Sequence, residues 1–282
     1  MPWFGGVTSS GGDYSIKING NIIGGTLANQ LLAGFNNMAL GNASLFDNLS
    51  GSDNICVGDN SLDSMTDGGD NVSIGSFAGN SSIHPNECVI IGSHAMENAG
   101  SNYPFGVFIG TNAAQDMTGD LRGVYIGNYV SSGGLSNASN VVIGESADAG
   151  FFGADVVGIG YGVHAYSAAC VAVGGGSTVD SDPAGDGSDT EGAIAIGDSA
   201  QVLLIGGTAT AKAGIAIGYN AEVWGDYGIA IGGTTFAPYN RTISKDSGGS
   251  PGGIAIGHGT IADGFSIVAG LNVAPGFGGY YR

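Results

Sequence analysis

Four histidines, three cysteines and 24 acidic residues are the groups in this 282-residue chain whose types suit acid–base, nucleophilic or metal chemistry. The histidines, His84, His94, His164 and His258, stand far apart, each near a turn, and none belongs to a serine or cysteine nucleophile motif. They therefore form no acyl-transfer constellation that the sequence can display. Cys56, Cys88 and Cys170 lie within apolar runs (Ile55-Cys56-Val57, Cys88-Val89-Ile90, Cys170-Val171-Ala172) and make no CxxC pair. They read as small buried hydrophobes, since an odd count and wide spacing fit neither a disulfide framework nor a zinc site. The acidic stretch from Ser177 to Glu191 carries Asp180, Asp182, Asp186 and Asp189, but it has neither the DxDxDG spacing of a calcium loop nor a GGxGxDxUx repeat. The expectation is no catalytic residue, no metal and no cofactor.

The remaining chemistry is aromatic and cationic. Phe236, Tyr239, Asn240, Arg241 and Lys245 cluster in one segment, and Asn102-Tyr103-Pro104-Phe105 forms a second aromatic group. Both are candidates for ligand contact if they lie on loops, because function concentrates on loops held by a rigid scaffold.

The scaffold is legible as a repeat. A short apolar strand ending in glycine recurs as NIIG at Gly24, MALG at Gly41, ICVG at Gly58, VSIG at Gly75 and VIIG at Gly92, each 17 residues after the last. It continues as VFIG, VYIG, VVIG, VGIG and VAVG, ending at Gly110, Gly127, Gly144, Gly160 and Gly174, then as IAIG at Gly197, Gly218, Gly232 and Gly257. The spacing shortens to 14 between Gly218 and Gly232 and stretches to 25 before Gly257, where the Phe236 to Lys245 segment is inserted. Each unit predicts two short strands and two turns, one coil of a solenoid. A hexapeptide acyltransferase is excluded, because 17 is not a multiple of its six-residue period, and a polysaccharide depolymerase needs larger coils with room for a groove.

Alternation along each strand assigns two faces. The large residues one and three before the glycine, such as Ile55 and Val57, are expected to point into the roll. The residue two before it then faces outward, and in the second half it is always alanine: Ala172, Ala195, Ala216, Ala230 and Ala255. Such a column predicts close approach of another copy of the chain, with Phe108 and Tyr125 making the looser contact in the first half. A thin roll buries little per coil, so oligomerisation supplies what one chain lacks.

Composition bounds the partners. There are 56 glycines in 282 residues, against roughly 7% in ordinary chains, and no Gly-X-Y period that would make collagen. Hydrophobic residues make up 43%, enough to fold. Six Lys and Arg face 24 Asp and Glu, a net charge of −18, so no basic face exists for nucleic acid. The start, Met1-Pro2-Trp3-Phe4-Gly5-Gly6, has no charged segment followed by an apolar one, and no apolar stretch is long enough to span a bilayer, so neither a signal peptide nor membrane insertion is expected.

Ala193-Ile-Ala-Ile-Gly-Asp-Ser-Ala200, Gly214-Ile-Ala-Ile-Gly-Tyr-Asn-Ala221 and Gly228-Ile-Ala-Ile-Gly-Gly-Thr-Thr235 resemble the head repeats of trimeric autotransporter adhesins, the YadA-like heads. The 17-residue units, such as Asn71-Val-Ser-Ile-Gly-Ser-Phe-Ala78, are similar to repeats of phage tail-fibre proteins. The likeness covers most of residues 21 to 270. It implies an all-β, left-handed parallel β-roll assembled as a homotrimer, and a chain without signal peptide or anchor fits a virion fibre better than an autotransporter. The expected organisation is residues 1–20 as an attachment or cap segment, 21–160 as a roll of 17-residue repeats, 161–270 as a roll of 14-residue IAIG repeats with insertions, and 271–282 as a C-terminal cap. The expected role is a non-enzymatic phage tail or head fibre on the virion, bound to another virion protein at one terminus and to a host cell-surface glycan or protein. Phe236, Tyr239, Arg241, Lys245, Tyr103 and Phe105 are the receptor candidates. A purely structural decoration or spacer, or a head fragment of a bacterial cell-surface adhesin, is the alternative.

Overall fold

The structure, a computed structural model, describes residues 15–18, 20–28, 34–99, 105–117, 121–131, 138–150, 155–180, 192–203, 213–224, 227–233, 243–245, 253–263 and 266–271. Among these the chain is all-β without a helix and winds as a parallel β-solenoid. It divides into two compact units, residues 1–139 and 140–282.

In the first unit one strand is laid down per coil. The strands are β1 (Ser15–Ile18), β2 (Asn21–Gly24), β3 (Met38–Leu40), β4 (Ile55–Val57), β5 (Val72–Ile74), β6 (Val89–Ile91), β7 (Phe105–Ile109) and β8 (Leu121–Ile126). After an antiparallel β1–β2 hairpin, each strand from β2 onward pairs in parallel with the next. Their β-branched residues suit a pleated surface, and the glycine after each strand makes the corner. At Gly58 φ is +135° and a Cβ would collide with the carbonyl oxygen of Gly75 in the next coil, so both conformation and close approach demand glycine.

Two expectations change here. In the first repeat β2 pairs Ile23 with Ala39, so Gly25, with φ +121°, takes the corner rather than Gly24. Among the described residues, the second strand expected in each 17-residue coil is replaced by turns. Asn60 and Leu62 have φ of 54° and 47°, and Asn112 and Ala114 have 57° and 55°. Two left-handed residues so close together cannot lie on an extended path.

A buried asparagine ladder ties these coils together. Asn21, Asn37, Asn54 and Asn71 are all within 1% of full burial. Asn21 Oδ1 accepts the Asn37 backbone N–H at 2.7 Å, Asn37 Oδ1 accepts that of Asn54 at 3.0 Å, Asn54 Oδ1 that of Asn71 at 3.2 Å, and Asn71 Oδ1 that of Cys88 at 3.0 Å. Each side chain thus satisfies a backbone donor that the turn leaves without a ladder partner.

The second unit is built from two sheets. One contains β9 (Ala138–Ile143), β10 (Val157–Ile159), β12 (Val171–Val173), β14 (Ile194–Ile196), β16 (Ile215–Ile217), β18 (Ile229–Ile231), β20 (Ile254–His258) and β22 (Ile267–Leu271). The other contains β11 (His164–Ala165), β13 (Thr178–Asp180), β15 (Gln201–Leu203), β17 (Glu222–Trp224), β19 (Ile243–Lys245) and β21 (Ile261–Asp263). All pairings in both are parallel. The two strands expected per coil are present here.

The alternation of faces holds, but its phase is the reverse of the expectation. Ala172, Ala195, Ala216, Ala230 and Ala255 are fully buried within the single chain, whereas Ile196, Ile217, Ile231 and Ile256 are 36% to 42% exposed. The same inversion holds in the first unit, where Cys56, Phe108 and Tyr125 are buried and Ile55 and Ile74 are exposed. The interior explains it. Across the narrow coil, the alanine column shares the core with Val179, Val202, Val223 and Ala262 of the opposite sheet, all fully buried. At Gly158 a Cβ would already touch Val163 Cγ1 at 3.5 Å and Ala165 Cβ at 3.7 Å. Opposite these valines a methyl fills the space. Where turns replace the second strand, larger residues fit inside: Phe108 and Tyr125 stack in parallel with centroids 5.5 Å apart.

Candidate functional site

The inversion leaves the outer face of the first-described sheet of the second unit apolar. Its two outward columns run from Val157 through Val171, Ile194, Ile215 and Ile229 to Ile254, and from Ile159 through Val173, Ile196, Ile217 and Ile231 to Ile256, held in register by the strand pairing. Every position is Val or Ile, where a solvated strand face carries polar side chains. Continuous apolar stripes of this kind mark interaction surfaces. The residues expected at the contact between copies, Ala172, Ala195, Ala216, Ala230, Ala255, Phe108 and Tyr125, cannot make it, because the chain's own core encloses them. Their immediate neighbours form the exposed face instead.

Three of the four histidines are engaged locally, whereas His258 Nδ1 is buried without a hydrogen-bond partner. His84 bonds Asp67. His94 Nδ1 lies 2.7 Å from Glu97 Oε2, which also accepts Gln115 Nε2 at 2.9 Å, and the imidazole stacks on Phe77 with centroids 5.2 Å apart. His164 Nδ1 lies 2.8 Å from the Tyr166 hydroxyl, which donates to Asp148 Oδ2 at 3.1 Å. The three cysteines form no disulfide and are buried. Burial pushes the Cys88 thiol up to about 12 and the Cys170 thiol up to about 11, and raises Cys56 further. These are inert thiols rather than nucleophiles at neutral pH. Among the described residues no three His, Cys, Asp or Glu side chains converge on a possible metal position.

No family model, curated protein or solved structure matches the chain.

Of the receptor candidates, Phe105 opens β7, where it is 36% exposed and pairs with Arg122. Lys245 closes β19. Tyr103, Phe236, Tyr239 and Arg241 lie outside the described residues, as do Asp182, Asp186 and Asp189 of the acidic stretch. The structure adds an aromatic feature that the search for insertions missed. Tyr129, Tyr161 and Tyr219 follow a repeat glycine by one or two positions and are 59%, 68% and 49% exposed. The available signal was the register itself: within each unit, residues just after the repeat glycines stack along a ridge.

Proposed function

We propose that the chain is a non-enzymatic fibre or adhesin module, in first place a phage tail or head fibre, that assembles as a homotrimer through the outer Val/Ile face and attaches to a host surface. The observation that carries this reading is that face. With strands spaced about 4.8 Å apart, the six strands from β10 to β20 present a stripe about 24 Å long and about 10 Å wide. Removing it from water is worth about 6 kcal/mol per copy at ~25 cal/mol/Å². A self-complementary surface on every copy favours a closed symmetric assembly over a mixed one. The likeness of the IAIG segments to trimeric adhesin heads supports three copies and a left-handed roll. The net charge of −18 favours solubility of an extended assembly and disfavours nucleic acid as partner.

Attachment is tested with fluorescently labelled full-length protein on a panel of bacterial cells. The reading expects saturable retention on some strains, reduced when Phe236, Tyr239 and Arg241 are together replaced by alanine. A correctly assembled protein that is retained on no strain would leave the decoration or spacer role in its place.

A further inference from the structure

We propose that the turn ridge of the second unit carries a cleft for a neutral saccharide, walled by Tyr161 and Tyr219 with Asp198 between them. This deepens the attachment reading and rests on it. The strand register places Gly160, Gly174, Gly197 and Gly218 at successive corners, so the residues that follow them stack in one column: Tyr161, Gly175, Asp198 and Tyr219. Backbone hydrogen bonds lock the ridge. Tyr161 O accepts Gly176 N at 2.8 Å, Gly175 O accepts Ser199 N at 2.8 Å, and Asp198 O accepts Asn220 N at 3.0 Å.

The two tyrosines stand three coils apart, about 14 Å at ~4.8 Å per coil, and are 68% and 49% exposed. The coil beside Tyr161 contributes only glycine to the ridge. A Cβ on Gly175 would meet nothing nearer than Asp198 at 4.0 Å, and one on Gly176 nothing nearer than Ser199 Oγ at 3.8 Å, so this coil leaves the ridge bare beside Tyr161. Ser199 Oγ donates to Asp198 Oδ1 at 2.9 Å, which steadies the carboxylate, and Asp198 Oδ2 lies on the side of the bare glycine. This set matches the chemistry of a sugar. The apolar C–H face of a pyranose packs on a phenol ring, which offers area at little entropic cost, and a carboxylate accepts a pair of hydroxyl donors. The column contains an acid and no cation, on a chain of net charge −18, so sialylated and uronate-bearing glycans are repelled.

The test is a printed array of neutral and acidic oligosaccharides probed with full-length wild type, Tyr161→Ala, Tyr219→Ala, Tyr161→Phe and Asp198→Asn. Native mass and thermal melting are recorded for each. Expected is binding to neutral structures alone, weakened about tenfold or more by either alanine, weakened less by Asp198→Asn, and kept by Tyr161→Phe. The proposal is overturned if wild type binds no neutral saccharide, if the alanine variants bind as wild type does, or if they change the native mass, which would make these tyrosines contacts between copies. Wild type that attaches to cells, with both alanine variants attaching equally, would remove the cleft and leave attachment standing. Binding on the array without attachment to any cell would do the reverse.

Discussion

Replacing Asn54 by alanine breaks the asparagine ladder at its centre. Asn54 Oδ1 accepts the Asn71 backbone N–H at 3.2 Å and Asn71 Nδ2 at 2.8 Å, while Asn54 Nδ2 donates to Asn37 Oδ1 at 3.0 Å and to Gly68 O at 3.3 Å. After truncation Asn71 Nδ2 keeps the Pro85 carbonyl and Asn37 Oδ1 keeps the Asn54 N–H, but the buried Asn71 N–H loses its acceptor. Leaving that donor unmet costs about 1–3 kcal/mol, and the three other lost bonds about 0.5–1.5 kcal/mol each. The expected loss is about 2.5–7.5 kcal/mol. Stacked coils are stabilised by nearest neighbours, so the damage should be local. Hydrogen exchange read by mass spectrometry should show faster exchange in peptides spanning Ile55 and Asn71 before those of the second unit respond, alongside a lower urea midpoint. Asn42→Ala removes an exposed amide and should stay within ~0.5 kcal/mol of wild type. A loss below ~1 kcal/mol with unchanged exchange at Asn71 would refute the role given to the ladder.

The face assignment predicts opposite outcomes for adjacent residues. Ala216→Ile overfills the core and should lower chain stability by about 1–3 kcal/mol, while Ile217→Thr on the outer face should weaken association more than it destabilises the isolated coil; urea unfolding and sedimentation velocity distinguish them. The thiols should resist Ellman's reagent at pH 8 in the folded protein and react after denaturation. Their folded pKa values lie above the ordinary 9.0, so the unfolded chain releases protons that the folded one retains, and stability should fall as pH rises through about 9; urea midpoints at pH 7 and pH 10 check the sign.

Much of the fold was legible because a corner glycine forced by its neighbour's carbonyl oxygen leaves a fixed period. The phase of the strands was not. Period-two alternation separates two faces without naming the inner one, and size suggested that isoleucine goes inside. The missed constraint was coil width: the alanines mark where the sheets approach, and the valines of β13, β15 and β17 opposite them were the available clue. The turn stack of the first unit was hidden because Leu62 and Met96 are not residues that advertise left-handed φ. The register slip at Gly24 arose from two adjacent glycines that the pattern could not separate. The exposed tyrosine ridge went unread because ligand contacts were sought on insertions, whereas Tyr161 and Tyr219 belong to the repeat itself.

Native mass by light scattering during size exclusion tests the assembly most directly. One chain has a mass of 27.8 kDa, and the account predicts a particle at three times that mass, 83.4 kDa, which dissociates when Ile196 and Ile217 are both replaced by aspartate. A stable 27.8 kDa species for the wild-type protein would contradict it, because the outer Val/Ile face would then face water in the functional state.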